Sequence, residues 1–329
     1  MISFPTEPLS HPLRVVFLGT PMFAAVCLER LLEAGFQVVG VVTAPDRPGG
    51  RGMHPQPSAV KDLALRHHLP LLQPERLRDS SFQEAFRSWQ ADVGVVVAFR
   101  MLPESVWAAP RWGTINLHAS LLPQLRGAAP IQRAILAGLT STGVTTFSLN
   151  ADIDTGDLLD AVPVEIGPDE TGGSLHDRLL ESGGQLLVRT LRQLKAGTLV
   201  PRPQSVAPQT AGGWLEAPKL QKSDSEIDWA KPVAQVHNLV RAFSPVPGAW
   251  RPTAAGPFKV FVGAPLPDSA GLPPGPAIPP GTLRAADDGI QVRCLDGWYR
   301  MDALQPPGKK RLSAADWKNG LRGQLPERI

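Results

Sequence analysis

Two kinds of apolar pattern alternate along the first 200 residues. Short runs at Arg14–Leu18, Phe36–Thr43, Val93–Ala98, Gly113–His118 and Gly143–Leu149 are dense in valine, isoleucine and leucine and bounded by glycine or proline, which predicts strands. Between them, Phe23–Leu32, Ala59–His67, Ser81–Trp89, Pro130–Ala137 and Ser174–Leu194 repeat apolar residues every three or four positions and predict helices. Ser80 is the expected N-cap of the third helical stretch, Pro130 fits the first turn of the fourth, and Gly197 is a stop signal for the fifth. A strand, a glycine turn at Gly19, Thr20 and Pro21, and then a helix is how a doubly wound domain begins. The expected first domain is therefore α/β, with a Rossmann-like, mostly parallel sheet.

The pattern changes after Thr198. Up to Lys222 proline, glutamine, glycine and alanine dominate, as in an interdomain linker. Beyond it, β-like runs at Phe258–Val262, Gly289–Cys294 and Gly297–Leu304 alternate with proline- and glycine-rich stretches, notably Pro265–Pro280. A helix over Val233–Ala242 lies beside them. That spacing suits a small β-barrel. Residues 1–205 and 206–329 are the two expected domains, in keeping with a 329-residue chain that is too long for one ordinary core.

At 43% hydrophobic and 19% charged the composition is that of a globular protein. No apolar run approaches the roughly 18 residues that a membrane helix needs. Met1–Pro12 lacks the basic start and apolar core of a secretory signal. Cys27 and Cys294 fit no metal or redox spacing, so a reduced, cytoplasmic protein without a metal is expected. The net charge of +3 is unevenly placed: residues 201–329 carry 16 basic against 11 acidic side chains, and the first 200 carry 17 against 19. A basic second half suits an anionic partner such as nucleic acid, although an ordinary solvated surface gives the same count. Lys309, Lys310 and Arg311 are its best local phosphate contact.

The chemistry gathers around Gly113–His118. Residues two apart on a strand share a face, so Asn116 and His118 should project side by side near the strand's carboxyl end. In an open α/β sheet that is where ligands bind. Downstream, Asp152, Asp154 and Asp157 sit in a loop that superficially matches a calcium site. The match fails, because Gly156, Asp157 and Pro163 fall where a ligand, a glycine and a glutamate are required. Asp154 is then the carboxylate nearest in pattern to the strand end. An amide to stabilise an oxyanion, an imidazole to move protons and a carboxylate to orient it suffice for acyl transfer. Each residue alone is more often structural: a satisfied amide, a core histidine, a turn former. Gly19–Ala24 lacks the second and third glycines of a dinucleotide fingerprint, which counts against NAD or FAD.

These residues carry a resemblance. Asn116-x-His118, the run Ser120, Leu121, Leu122, Pro123, the stretch Arg126 to Ile131, and Asp152-x-Asp154-Thr155-Gly156-Asp157 together resemble the formyltransferases that use 10-formyltetrahydrofolate. Within that family the likeness is greatest to the branch that acts on initiator methionyl-tRNA, and it covers nearly the whole chain. The resemblance implies that Asn116, His118 and Asp154 are catalytic and that Ser120, Leu121, Leu122 and Pro123 shape the folate site. It further implies that the loop Ala44–Pro57, through Arg47 and Arg51, meets the tRNA acceptor end, and that the second domain is OB-like and binds tRNA. It implies 10-formyltetrahydrofolate as formyl donor, and a monomer is the default. Family members commonly carry an acidic residue where Met22 stands and lysines where Met53 and His54 stand. Their turn at Phe99–Pro103, which helps line the pterin pocket, is one residue longer, which makes Arg100 unusual.

Four other readings compete on the sequence alone. The same first domain could formylate glycinamide ribonucleotide or an amino sugar, or could hydrolyse the folate donor. A dehydrogenase would need the missing glycine fingerprint. A nucleic-acid-binding module without catalysis would leave Asn116, His118 and Asp154 coincidental.

Overall fold

The computed structural model describes residues 4–49, 54–204, 214–268, 278–286, 289–321 and 325–329. In chain order the first elements are β1 (Arg14–Gly19), α1 (Met22–Glu33), β2 (Gln37–Val42), β3 (Arg47–Gly49), β4 (His54–Gln56), α2 (Ala59–Arg66), β5 (Leu71–Leu72), α3 (Ser80–Ser88) and β6 (Val93–Val97). There follow α4 (Glu104–Trp107), β7 (Thr114–His118), β8 (Arg126–Gly127), α5 (Pro130–Leu136), β9 (Ser141–Ser148), β10 (Leu158–Glu165) and α6 (Gly172–Lys195). The rest are β11 (Glu216–Ala217), α7 (Val233–Ala242), β12 (Ala249–Thr253), β13 (Gly256–Pro267), β14 (Leu283–Ala286), β15 (Gly289–Arg293), β16 (Gly297–Gln305), β17 (Leu312–Ser313) and α8 (Ala314–Gly320).

Contacts divide the chain into two interleaved units. The first comprises Met1–Gly127, Thr142–Val164 and Asp177–Glu216; the second comprises Ala128–Ser141, Glu165–His176 and Ala217–Ile329. The first unit holds a seven-stranded sheet of order β10-β9-β7-β6-β1-β2-β5. The pairs from β7 through β5 are parallel, and β9 runs antiparallel to β7. This is the mostly parallel, doubly wound sheet expected from the pattern. Both faces are covered, which is why β6 is a run of buried valines with one glycine. One face packs Val16, Leu18, Val42 and Val96 against Phe82 and Phe86 of α3. Across the sheet, α6 passes close to β7 at Gly183, where a Cβ would lie 2.8 Å from Leu117. That close approach explains a glycine in the middle of a 24-residue helix.

Local details differ from expectation. α3 starts at Ser80 itself, with Asp79 in the cap position and no side-chain cap. The connector between β2 and α2 contains the short hairpin β3/β4, paired Arg47 with Gln56 and Gly49 with His54. The stretch read as a linker begins tied down: Arg202 and Leu158 exchange two backbone hydrogen bonds at 2.7 and 2.8 Å.

The second unit is built on an antiparallel sheet of order β12-β13-β16-β15-β14, with β17 also on β16. Register shifts around Val262 mark a bulge in β13, which bends the strand. Its core gathers Trp229, Val236, Val240, Phe258, Val260, Tyr299 and Met301. Trp298 is buried too, with the Arg284 guanidinium 3.8 Å above its ring. His237 donates through Nε2 to the Pro168 carbonyl, and Arg241 donates to the carbonyls of Gly167 and Glu170, which fastens residues 167–170 to α7. The two thiols are buried and unpaired; burial pushes Cys27 strongly up and Cys294 up to about 12, so neither is a nucleophile.

Gly40 of β2 is buried where any side chain would overlap the Trp89 indole. Gly40→Val should cost about 1–3 kcal/mol, measured as a lower urea midpoint with unchanged slope.

Candidate active site

The carboxyl end of β7 is where the sequence placed its chemistry. Asn116 is half-buried and His118 is buried, two positions apart and so on one face of the strand. His118 lies opposite Thr145 of β9, and Asn116 opposite Phe147. Among the described residues the Asn116 side-chain amide makes no hydrogen bond.

The His118 ring is held from its far side. Nε2 lies 2.8 Å from the Leu125 carbonyl oxygen. A carbonyl can only accept, so Nε2 carries the hydrogen, and in the neutral ring Nδ1 keeps its lone pair. Nδ1 faces the Asp154 carboxylate with 3.7 Å to Oδ2. That is electrostatic contact and longer than a hydrogen bond. Asp154 is itself held, since Oδ2 accepts the Gly127 backbone N–H at 2.9 Å. Both side chains are nearly withdrawn from solvent, at 8% and 13% exposure, so their field is weakly screened.

Two loops deliver these groups. The first, 119–127, leaves β7 and turns back under the ring. Within it the Ser120 hydroxyl donates to the Gln124 carbonyl, and the Ser120 carbonyl accepts from Thr145 Oγ1 at 2.7 Å. Thr145 Oγ1 in turn accepts the Leu122 N–H at 3.2 Å. The Leu122–Pro123 peptide is cis, and Leu125 takes a left-handed φ of 59°. Ser120 and Leu122 are thus buried parts of the turn, while Leu121 and Pro123 are half-buried.

The second loop, 149–157, is wound tightly. Asn150 Oδ1 accepts from the Asp152 N–H and the Thr155 hydroxyl, an Asx turn. Asp154 sits at φ 53°, in a left-handed region that aspartate tolerates better than most residues. A side chain at Gly156 would collide with the Ser148 carbonyl oxygen. The Asp154 carboxylate is the one that meets Gly127 and His118, and among the described residues no group of three His, Cys, Asp or Glu side chains could hold a metal.

The structure brings together His118 and Asp154 and places Asn116 beside them on β7. Arg47 is exposed on the hairpin, and Arg51 and Met53 lie outside the described residues. The hairpin's base is braced: Lys61 and Gln73 both bond the Asp46 carboxylate and hold it below the usual carboxylate range, Lys61 most strongly. Met22 is exposed in the first turn of α1, which has no acidic residue. Arg100 bonds the carbonyls of Pro74 and Glu75, so it ties the short turn to the segment after β5.

Sequence reasoning missed the Leu125 carbonyl, the Gly127 N–H, Thr145 and Gln204. Gln204 Nε2 donates to the carbonyls of Asp154 and Gly156 at 2.9 and 2.8 Å, and Arg126 donates to its Oε1. Backbone groups carry no residue signal, and nothing about a glutamine in a proline-rich stretch marks it.

Comparison with known proteins defines the class. Residues 13–191 match the formyl transferase family and residues 219–322 match the formyl transferase C-terminal domain. The chain belongs to the formyl transferase family. Methionyl-tRNA formyltransferase from Bacteroides fragilis is 44% identical over 314 residues, covering 94% of this chain and 95% of the relative. A solved N-formyltransferase from Helicobacter canadensis, bound to folinic acid and dTDP-3-aminofucose, aligns at TM-score 0.62 and 18% identity over 87% of this chain and 97% of its own. HypX from Aquifex aeolicus with tetrahydrofolic acid aligns at TM-score 0.62 and 17% identity; this chain is covered to 97% and spans about half of HypX, 51%. At such identities the two structures speak to fold alone.

Gly156→Ala should displace the loop and cost roughly 1–3 kcal/mol, measured as a lower thermal midpoint. An unchanged midpoint would show that the loop relaxes freely at that point.

Proposed function

We infer that this chain transfers the formyl group of 10-formyltetrahydrofolate to the α-amino group of initiator methionyl-tRNA. The observation that carries the reading is likeness along the full length of the chain, in both family regions, to enzymes that bear this activity in their name. No helix among the described residues is long and apolar enough to cross a membrane, and a cytoplasmic, monomeric enzyme is the proposed setting.

The proposed chemistry follows from the arrangement of donors and acceptors. Asn116 donates to the oxygen of the formyl group as negative charge develops there. His118, through the Nδ1 lone pair, takes the proton that the attacking amine loses as the new N–C bond forms. The same ring returns that proton to nitrogen 10 of the folate as the old C–N bond breaks, so the ring ends neutral. Asp154 faces the charge that the ring carries between the two transfers, and its own place is kept by the Gly127 N–H. Ser120, Leu121, Leu122 and Pro123 form a wall of the folate site through turn backbone and packing. Arg47, in β3, and Arg51, which follows β3 in sequence, meet the acceptor end of the tRNA. The second unit is read as an OB-like module for the tRNA body; its five principal strands and the bulge in β13 suit a partly open barrel of that kind.

The test is formyl transfer to methionyl-tRNA with glycinamide ribonucleotide as a parallel acceptor. Formylated tRNA and no formylated ribonucleotide is expected; the reverse, or free formate with neither, contradicts the reading. Asn116→Ala should lower kcat about 100- to 1000-fold and His118→Ala about 100- to 10,000-fold. Rates within a few-fold of wild type would remove those residues from catalysis.

A further inference from the structure

We propose that Gln204 is a positioning residue for this reaction, holding the Asp154 loop so that the carboxylate is presented to His118. The inference rests on the reading of Asp154 as a working member of the site. It begins from the backbone, since Asp154 has a φ of 53° in a region that side chains seldom adopt and that needs holding. The loop's own Asx turn braces residues 150–155. Its far end, at Asp154 and Gly156, offers two carbonyl oxygens, and Gln204 takes both. One amide nitrogen has two hydrogens, and both are used, at 2.9 and 2.8 Å.

The third bond closes a circuit. Gln204 Oε1 accepts from Arg126, through Nε at 3.2 Å and through Nη2. Arg126 directly precedes Gly127, whose N–H holds the Asp154 carboxylate. The path from Asp154 carbonyl through Gln204 and Arg126 to Gly127 and back to Asp154 Oδ2 is unbroken. It links the backbone and the carboxylate of one residue to the loop that also carries the Leu125 carbonyl beneath His118. Gln204 is itself delivered by the two backbone bonds between Arg202 and Leu158.

The circuit requires an amide. Arg126 can only donate and the two carbonyls can only accept, so the orientation of the Gln204 side chain is fixed and no other group of that size fits. A glutamate would keep the bond to Arg126 but turn an oxygen toward two carbonyl oxygens. In the proposed role the circuit acts through the placement of Asp154, so its loss should appear in the rate of the chemical step and leave binding intact.

The experiment is a double-mutant cycle on the intact chain, with kcat and both KM values measured for 10-formyltetrahydrofolate and methionyl-tRNA. Gln204→Glu and Gln204→Ala should each lower kcat about 10- to 100-fold with both KM values within about threefold. In an Asp154→Asn background the same substitutions should add less than about threefold, because the geometry they protect is already gone. Full rate in both Gln204 variants, or the same loss with and without Asp154, overturns the inference. If Asp154→Asn alone keeps full rate, the reading of Asp154 fails instead. Gln204→Glu, which keeps size and one bond, gives the answer if Gln204→Ala does not fold.

Discussion

The candidate site depends on one hydrogen bond, from His118 Nε2 to the Leu125 carbonyl. It fixes which ring nitrogen is free and where it points. The strand alone could not do this, since β7 sets the position of the His118 Cα but not the turn of the ring. The bond needs a carbonyl directed back at the strand that its own loop has just left. That requirement accounts for the form of residues 119–127, with the buried Ser120, the Thr145 bridge and a left-handed Leu125. Buried polar groups are tolerated only when paired, and each of these is.

Asp154 is built by the opposite route. Its loop is long-range to β7 in sequence, and it meets the histidine through an anchor shared with the first loop, the Gly127 N–H. Two loops therefore meet at consecutive residues, Arg126 and Gly127. Precision at the His118–Asp154 pair comes from backbone and amide bonds on both sides of it, and the sheet beneath supplies rigidity. The buried valines of β6 and the close seat of α6 at Gly183 hold β7 in place.

Much of this was legible in the residues. The strands of the parallel sheet were readable because burial on both faces makes them continuous apolar runs. β10 was not, because Asp160 and Pro163 interrupt a strand whose burial alternates. β12 carries Pro252, which argues against a strand in a sheet interior but is tolerated at an edge, and β12 ends the sheet order. Strand spacing anticipated that Asn116 and His118 share a face of β7, and the resemblance to the formyltransferases added Asp154 to them as a candidate site. The Leu125 carbonyl and Gln204 were beyond reach: one is backbone, and the other sits 48 to 78 residues from its partners. The composition of the 198–222 stretch speaks for a linker, whereas the pairing of Arg202 with Leu158 and the bonds of Gln204 to Asp154 and Gly156 place its first residues in the fold.

The most direct test of the account is the tautomer of His118. Nitrogen-15 correlation spectra of histidine-labelled protein, assigned by comparison with a His118 variant and recorded where the ring is neutral, report which nitrogen bears the hydrogen. The account predicts a protonated Nε2 and an unprotonated Nδ1. A neutral ring protonated at Nδ1 would contradict it, because the Leu125 carbonyl would then hold no hydrogen bond and the nitrogen facing Asp154 would have no lone pair to receive a proton.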